Sequence, residues 1–248
     1  MINHSYLRKN NFELRSARFL AANRYSTSTM SKPLVQENEK FFTENFEGLT
    51  LKSPLFYNWD ASLRFDLQPN TESTVSGNMS EYFQEVQNRA IKIFESIFTE
   101  QDKIQIVLYQ FKGRSRKKIK LSNFVFKQIS DLCKSEAEFS VIRRLYEPND
   151  NDDIWNRAII KTMVANLNYK EILKAISYTD FPSNNPSIQF ETYIVNISKK
   201  IIFHMYDDRG LDVVASDKKS LAPIYYKHKN WLLDYDIEMM HERIKDIL

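Results

Sequence analysis

Apolar and polar residues alternate along "LRFDL" (Leu63 to Leu67), and "KIQIVLYQFK" (Lys103 to Lys112) is rich in β-formers up to a Gly-Arg-Ser break. Both predict strands, because an extended chain turns successive side chains to opposite faces. "EFSVIRRLYE" (Glu138 to Glu147) and "NRAIIKTMVANL" (Asn156 to Leu167) predict two more, flanking an acidic Pro-Asn-Asp loop. "SIQFETYIVNI" and "KIIFHMYD" form the clearest hairpin, and "IIFHMYDDRGLDVVASD" (Ile201 to Asp217) continues it around a second turn. Helical spacing takes over in "MSEYFQEVQNRAIKIFESIF", where Phe83, Val86, Ala90, Ile93, Phe94 and Ile97 share one stripe. "NFVFKQISDLC" (Asn123 to Cys133) predicts a helix capped by Asn123, and Asn168 with Glu171 opens a short helix through Ile176. Asp217 is the expected cap of a tail with two amphipathic helices, near 218–232 and 236–247. Helices and strands intersperse without strict β-α-β alternation. The expected class is therefore α+β: a single domain over 33–248, with a mainly antiparallel sheet and amphipathic helices packed on it.

The second hairpin concentrates the chemistry. A two-residue turn at Ser198-Lys199 pairs Tyr193 with His204 and Glu191 with Tyr206. A three-residue loop at Asp208-Arg209-Gly210, with Gly210 left-handed, sets Tyr206 against Asp212 and His204 against Val214. Alternation sends Phe190, Thr192, Ile194, Ile201, Phe203, Met205, Leu211 and Val213 to a core face. Glu191, Tyr193, Val195, Ile202, His204, Tyr206, Asp212 and Val214 take the other. A row Glu191–Tyr206–Asp212 then lies beside a row Tyr193–His204–Val214. Strands sit about 4.8 Å apart, which leaves the Glu191 and Asp212 backbones roughly 9–10 Å apart, too far to clamp one metal ion unaided. His204, Tyr206, Glu191 and Asp212 are the candidates for acid–base catalysis, His204 titrating near neutral pH. The alternative is a half-buried polar face satisfied beneath the C-terminal helices, and no nucleophile or oxyanion donor is identifiable beside it. Asp207 and Asp208 fit turn chemistry better than a cation site, with Arg209 competing for any metal.

Composition narrows the rest. No run of residues is long and uncharged enough for a membrane helix, so a soluble, cytoplasmic protein is expected. Cys133 is the single cysteine, which excludes an intrachain disulfide and a thiolate cage. Read as the end of an apolar helical stripe, it is a buried small hydrophobe. With only four glycines in 248 residues, widely separated, phosphate-cradling loops are excluded. No metal or other cofactor is expected. Residues 1–32 are basic and serine-rich with one acid, Glu13. They suit a disordered or processed leader, an organelle-targeting peptide, or an extension upstream of a start at Met30.

Two further clusters invite binding. "KGRSRKKIK" (Lys112 to Lys120) makes a basic hairpin in which Arg114, Arg116, Lys117 and Lys118 could contact phosphates or an acidic protein. Trp231 and Asp234, between the tail helices, could form an interaction hot spot or anchor a helix corner, and Asp208 with Arg209 offers charge at a turn tip. His4, His228 and His241 have no ligand spacing, so they are read as structural or exposed.

"LKSPLFYNWDASLRFDL", "NPSIQFETYIVNISKKIIFHMYDDRGLDVVASD" and "IYYKHKNWLLDYD" resemble a bacterial family catalogued as domain of unknown function 3885. The resemblance spans about Phe41 to Ile237. It implies a bacterial-type protein and assigns no activity to any residue. With no catalytic constellation recognised, the expectation is a non-catalytic protein-binding module, an immunity- or antitoxin-like inhibitor. Its rivals are an acid–base or metal-assisted enzyme on the His204 face and a nucleic-acid binder through 112–120.

Overall fold

The alternating segments hydrogen-bond into one seven-stranded antiparallel sheet. The strands are β1 (Ser62–Asp66), β2 (Lys103–Phe111), β3 (Ala137–Arg143), β4 (Ile154–Met163), β5 (Glu191–Asn196), β6 (Ile201–Met205) and β7 (Gly210–Ala215). Their order across the sheet is β1-β7-β6-β5-β2-β4-β3. This computed structural model describes residues 33–69, 79–181 and 183–247, so the expected leader and His4 lie outside the described residues. The helices are α1 (Pro33–Phe46), α2 (Met79–Ile97), α3 (Phe124–Lys127), α4 (Tyr169–Ser177), α5 (Ala222–His228) and α6 (Ile237–Ile244). Residues 33–248 make up one α+β unit, as the sequence pattern predicts.

One face of the sheet carries Leu63, Phe65, Ile106, Leu108, Ile194, Phe203, Met205, Leu211 and Val213. It packs on the α2 stripe (Val86, Ala90, Ile93, Phe94, Ile97) and on Ile172 and Ile176 of α4. The second face is buried as well. Val107, Tyr109, Ile159, Tyr193, Val195, Ile202 and Val214 meet Phe41, Phe42 and Phe46 of α1 together with Leu51 and Leu55. The sheet is thus the middle of three layers. The cover of the polar-rich face is N-terminal, rather than the C-terminal helices expected. Helix α1 turns Leu34, Val35, Asn38, Phe41, Phe42 and Phe46 inward. Burying each of those phenylalanines contributes about 1.5–3 kcal/mol, which offsets the helix's weak intrinsic propensity. Polar pins fix its angle: Asn38 Nδ2 donates to Gln105 Oε1 (2.8 Å), and the Val35 N–H donates to Glu138 Oε2 (3.1 Å).

The β5–β6 register is the expected one, with Ile194 opposite Phe203 and Val195 opposite Ile202. The connecting turn covers Ile197–Lys200, two residues more than expected, with Lys200 left-handed (φ 56°). The β6–β7 register differs by two. His204 faces Asp212 and Met205 faces Leu211. The loop is Asp207-Asp208-Arg209, closed by the Tyr206 N–H donating to Gly210 O (3.3 Å). Gly210 is not left-handed. It is needed because a Cβ there would lie 2.2 Å from Tyr206 Oη and 2.6 Å from Phe65 O.

Local structure departs from expectation elsewhere too. The helix expected over 123–133 is a single turn, α3. Asn123 accepts a hydrogen bond from the Lys120 N–H instead of capping the helix, and Cys133 is exposed. Residues 112–120 are an irregular run, not a hairpin, because β2 pairs with β4 and β5. Asn168 precedes α4 as expected, but its amide donates to Gln128 Oε1 rather than capping. Asp217 does cap, accepting from the Ser220 N–H (3.2 Å). The first tail helix breaks into 3₁₀ turns on either side of α5.

The outer edge of β1 is closed by the tail. Leu232 bridges Phe65, and the Leu233 N–H donates to Arg64 O (3.0 Å). That connection brings Asp236 to Arg64 of β1.

Candidate functional site

The observed register decides which polar groups meet. Asp212 lies between His204 on β6 and Arg64 on β1. Its carboxylate turns to Arg64, whose Nε donates at 2.8 Å, and to the Phe56 N–H at 2.9 Å. Arg64 also reaches Asp236 (3.4 Å) and lies over the rings of Phe56, Tyr57 and Tyr206. Tyr57 donates its hydroxyl to Asp236 (2.9 Å). The acid nearest His204 is therefore engaged in a buried ion cluster. The row expected from Glu191 through Tyr206 to Asp212 does not form.

His204 is fully buried, and its ring stacks on Tyr193 at 4.1 Å and 17°. Burial pushes its pKa down, against the Thr192 carbonyl and the Asp212 and Glu191 charges, which raise it. The imidazole is thus neutral at pH 7. Nδ1 lies 3.0 Å from Thr192 O, a pure acceptor, so Nδ1 carries the proton. Nε2 is left with a lone pair and, among the described residues, no hydrogen-bond partner. A buried polar atom without a partner costs about 1–3 kcal/mol.

The paired stretch of β5 and β6 ends at Ile194 and Phe203, and beyond it a cleft of about 330 Å³ opens between the strand ends. Glu191 and His204 line it together with the rings of Tyr109, Phe111, Trp155, Phe190 and Tyr206. Glu191 Oε2 accepts from the hydroxyls of Tyr146 (2.7 Å) and Tyr193 (3.0 Å). The Ser53 N–H in turn donates to Tyr146 Oη (2.8 Å). Among the described residues no hydrogen bond reaches Glu191 Oε1. Burial raises the pKa of Tyr146, Tyr193 and Tyr206, and pushes Tyr109 up to about 12. All four phenols keep their protons. Trp155 packs edge-on to Phe111 (5.3 Å) and donates its indole N–H to Asp153, which also accepts from the Tyr146 and Glu147 N–H groups. Phe111 keeps 55% of its surface in solvent.

Of the expected site residues, the structure brings Glu191, His204 and Tyr206 into one cleft and removes Asp212 from it. Tyr109, Phe111 and Trp155 complete the cleft, with Tyr146 behind Glu191, and none of them was named with the His204 face. Only the β2–β4 and β2–β5 registers bring them to Glu191, and no local motif announces them. Asp207 behaves as a turn acid, accepting from the Arg209 N–H (2.7 Å) and pairing with its guanidinium. Asp208 accepts from Tyr82 Oη, and Asp180 lies 3.5 Å from Arg209. Arg114 pairs with Asp152, while Lys117 and Lys118 follow in the irregular run beside Arg116, where Lys117 O accepts from Asn156 Nδ2 (2.9 Å). Trp231 stacks on His228 (5.1 Å) beneath Arg89 and Lys92, so it anchors the helix corner. Asp234 is exposed, as are Tyr235 and His241, while His228 is buried.

These features define an α+β protein with a two-sided sheet and an aromatic-walled cleft over a carboxylate and a neutral imidazole. Residues 38–236 match the family described as domain of unknown function (DUF3885), and the chain belongs to that family. All the cleft residues named above fall inside the matched segment. The Uncharacterized protein YnaE of Bacillus subtilis (strain 168) is 27% identical over 206 residues, which cover 79% of this chain and 96% of that protein. No solved structure matches. Among the described residues no helix is long and apolar enough to cross a membrane.

Proposed function

We propose that this protein is a non-catalytic protein-binding module of the inhibitor type, and that the cleft between the ends of β5 and β6 is its recognition site. The supporting observation is the cleft's make-up: aromatic walls, an exposed Phe111 at the mouth, and acceptors within. Aromatic side chains in a partly closed pocket supply large contact area at low entropic cost, the usual character of interface hot spots. An enzyme using His204 to activate a nucleophile would need a hydroxyl or thiol beside the imidazole. Among the described residues none hydrogen-bonds to His204, and Asp212 is held by Arg64. The basic run 112–120 makes a weaker phosphate surface, because Arg114 is paired with Asp152.

The test uses full-length wild-type and Phe111→Asp baits at mild salt. The expected result is one protein held by the wild type and lost by a variant whose circular dichroism is unchanged. Equal recovery by both baits overturns the reading. So does turnover in an enzyme screen that Glu191→Gln abolishes. Salt-sensitive oligonucleotide retardation that Lys117→Glu/Lys118→Glu removes would move the function to the basic run.

A further inference from the structure

Two lining residues of the cleft each carry an unfilled acceptor. The hydrogen bonds that Glu191 accepts among the described residues go to Oε2, which leaves Oε1 open, and the buried Nε2 of His204 has no partner there. The nearby cations are committed elsewhere. Arg157 is held by Ser140 and Glu39, and Arg64 by Asp212 and Asp236. An anion entering this space would meet the Glu191 carboxylate and the His204 lone pair. A donor-rich cation would satisfy both.

Resting on the binding-module reading, we infer that the cleft receives a guanidinium group, presented by an arginine side chain of the partner protein. A guanidinium carries five N–H donors in one plane and no acceptor, which suits two unfilled acceptors. Its flat, weakly hydrated face stacks on aromatic rings, and here the walls are Tyr109, Phe111, Trp155 and Tyr206. One edge of the group donates to Glu191 Oε1. Another N–H, directly or through one water, supplies His204 Nε2. Ammonium is a compact and more strongly hydrated charge, so it gains less from aromatic walls. At about 330 Å³ the cleft is at the small end of ligand pockets and suits one side chain.

The experiment is an NMR titration of the full chain with three probes: N-acetyl-arginine amide, its neutral isostere N-acetyl-citrulline amide, and N-acetyl-lysine amide. Arginine amide should bind saturably, perturbing the Glu191 amide and the His204 ring. Citrulline amide should bind roughly ten- to hundred-fold more weakly, the scale of a charge-assisted hydrogen bond. Glu191→Gln, which keeps an acceptor for Tyr146 and Tyr193, should weaken arginine amide by a similar factor. Phe111→Ala, at an exposed position, is the second variant and should also weaken it. Citrulline amide binding as well as arginine amide, lysine amide binding more tightly, or no saturable response overturns the inference. A captured partner that arginine amide displaces identifies a protein side chain as the source. If arginine amide binds but capture does not depend on Phe111, the site stands for a free guanidine and the protein-binding reading falls. If capture depends on Phe111 but arginine amide neither binds nor competes, the reading stands and the guanidinium falls.

Discussion

Replacing Arg64 by alanine should be among the most damaging single changes in the protein. The guanidinium is 11% exposed, and its partners Asp212 and Asp236 are 0% and 2% exposed. At 2.8 Å and an effective dielectric of about 20, the Arg64–Asp212 attraction is about 6 kcal/mol before either ion's desolvation is subtracted. Truncation leaves Asp212 buried with only the Phe56 N–H, and Asp236 with only the Tyr57 hydroxyl. Breaking a buried pair from one side costs about 3–5 kcal/mol. Set against a typical total of about 5–15 kcal/mol, that is a large share. For a unit of this size the melting temperature should fall by roughly 6–20 °C. Urea denaturation followed by circular dichroism measures the loss. Asp212→Asn added to Arg64→Ala should return part of it, because an amide needs no counter-charge. A loss below about 1 kcal/mol for Arg64→Ala, or strict additivity in the double variant, would refute the cluster's structural role.

Acid should weaken the fold before the carboxylates titrate. Burial lowers the pKa of His228 from 6.5 to about 4 and lowers that of His204 as well, so the unfolded chain binds more protons than the folded one between those values. Stability is then complete above about pH 6.5 and declines towards pH 4, with a slope of up to about 1.4 kcal/mol per pH unit for each histidine. His228→Gln should flatten the urea midpoint over that range, and an unchanged profile would count against buried neutral rings. Gly210→Ala should destabilise by about 1–3 kcal/mol, because its methyl collides with Tyr206 Oη and Phe65 O. Tyr206→Phe in the same chain should recover only part of that, since the backbone oxygen stays; full recovery would be the contrary result.

The strands were legible because period-two alternation is local, and the β5–β6 register follows from it directly. The β6–β7 register was not, because two three-residue loops one position apart leave the same side chains on the same face. Asp207 decides between them by holding the Arg209 N–H and guanidinium, and the crowding of Gly210 by Tyr206 and Phe65 depends on a neighbouring strand. That shift of two moved Asp212 from Tyr206 to His204 and Arg64, which separated the expected acid from the cleft. Helix α1 did carry a signal in its Leu34, Val35, Phe41, Phe42 and Phe46 spacing, interrupted by Asn38, whose polar partner Gln105 lies in a distant strand. Cys133 was misread because Ile129 pairs with Leu167 in an isolated bridge, which ends the helix before the stripe is complete. Tyr109, Phe111 and Trp155 of the cleft belong to β2 and β4, so only long-range pairing brings them to Phe190 and Tyr206.

The first strand of the sheet pairs along its length only with the last, so Ser62–Asp66 must wait for Gly210–Ala215. On a translating ribosome that strand emerges long before its neighbour, and the three phenylalanines of α1 emerge earlier still. Long-separated pairing of this kind is slow to close and leaves sticky surface uncovered meanwhile. A prematurely terminated chain would therefore gain no smaller version of this architecture. It would keep an orphan ribbon and an oily helix, both open to wrong contacts.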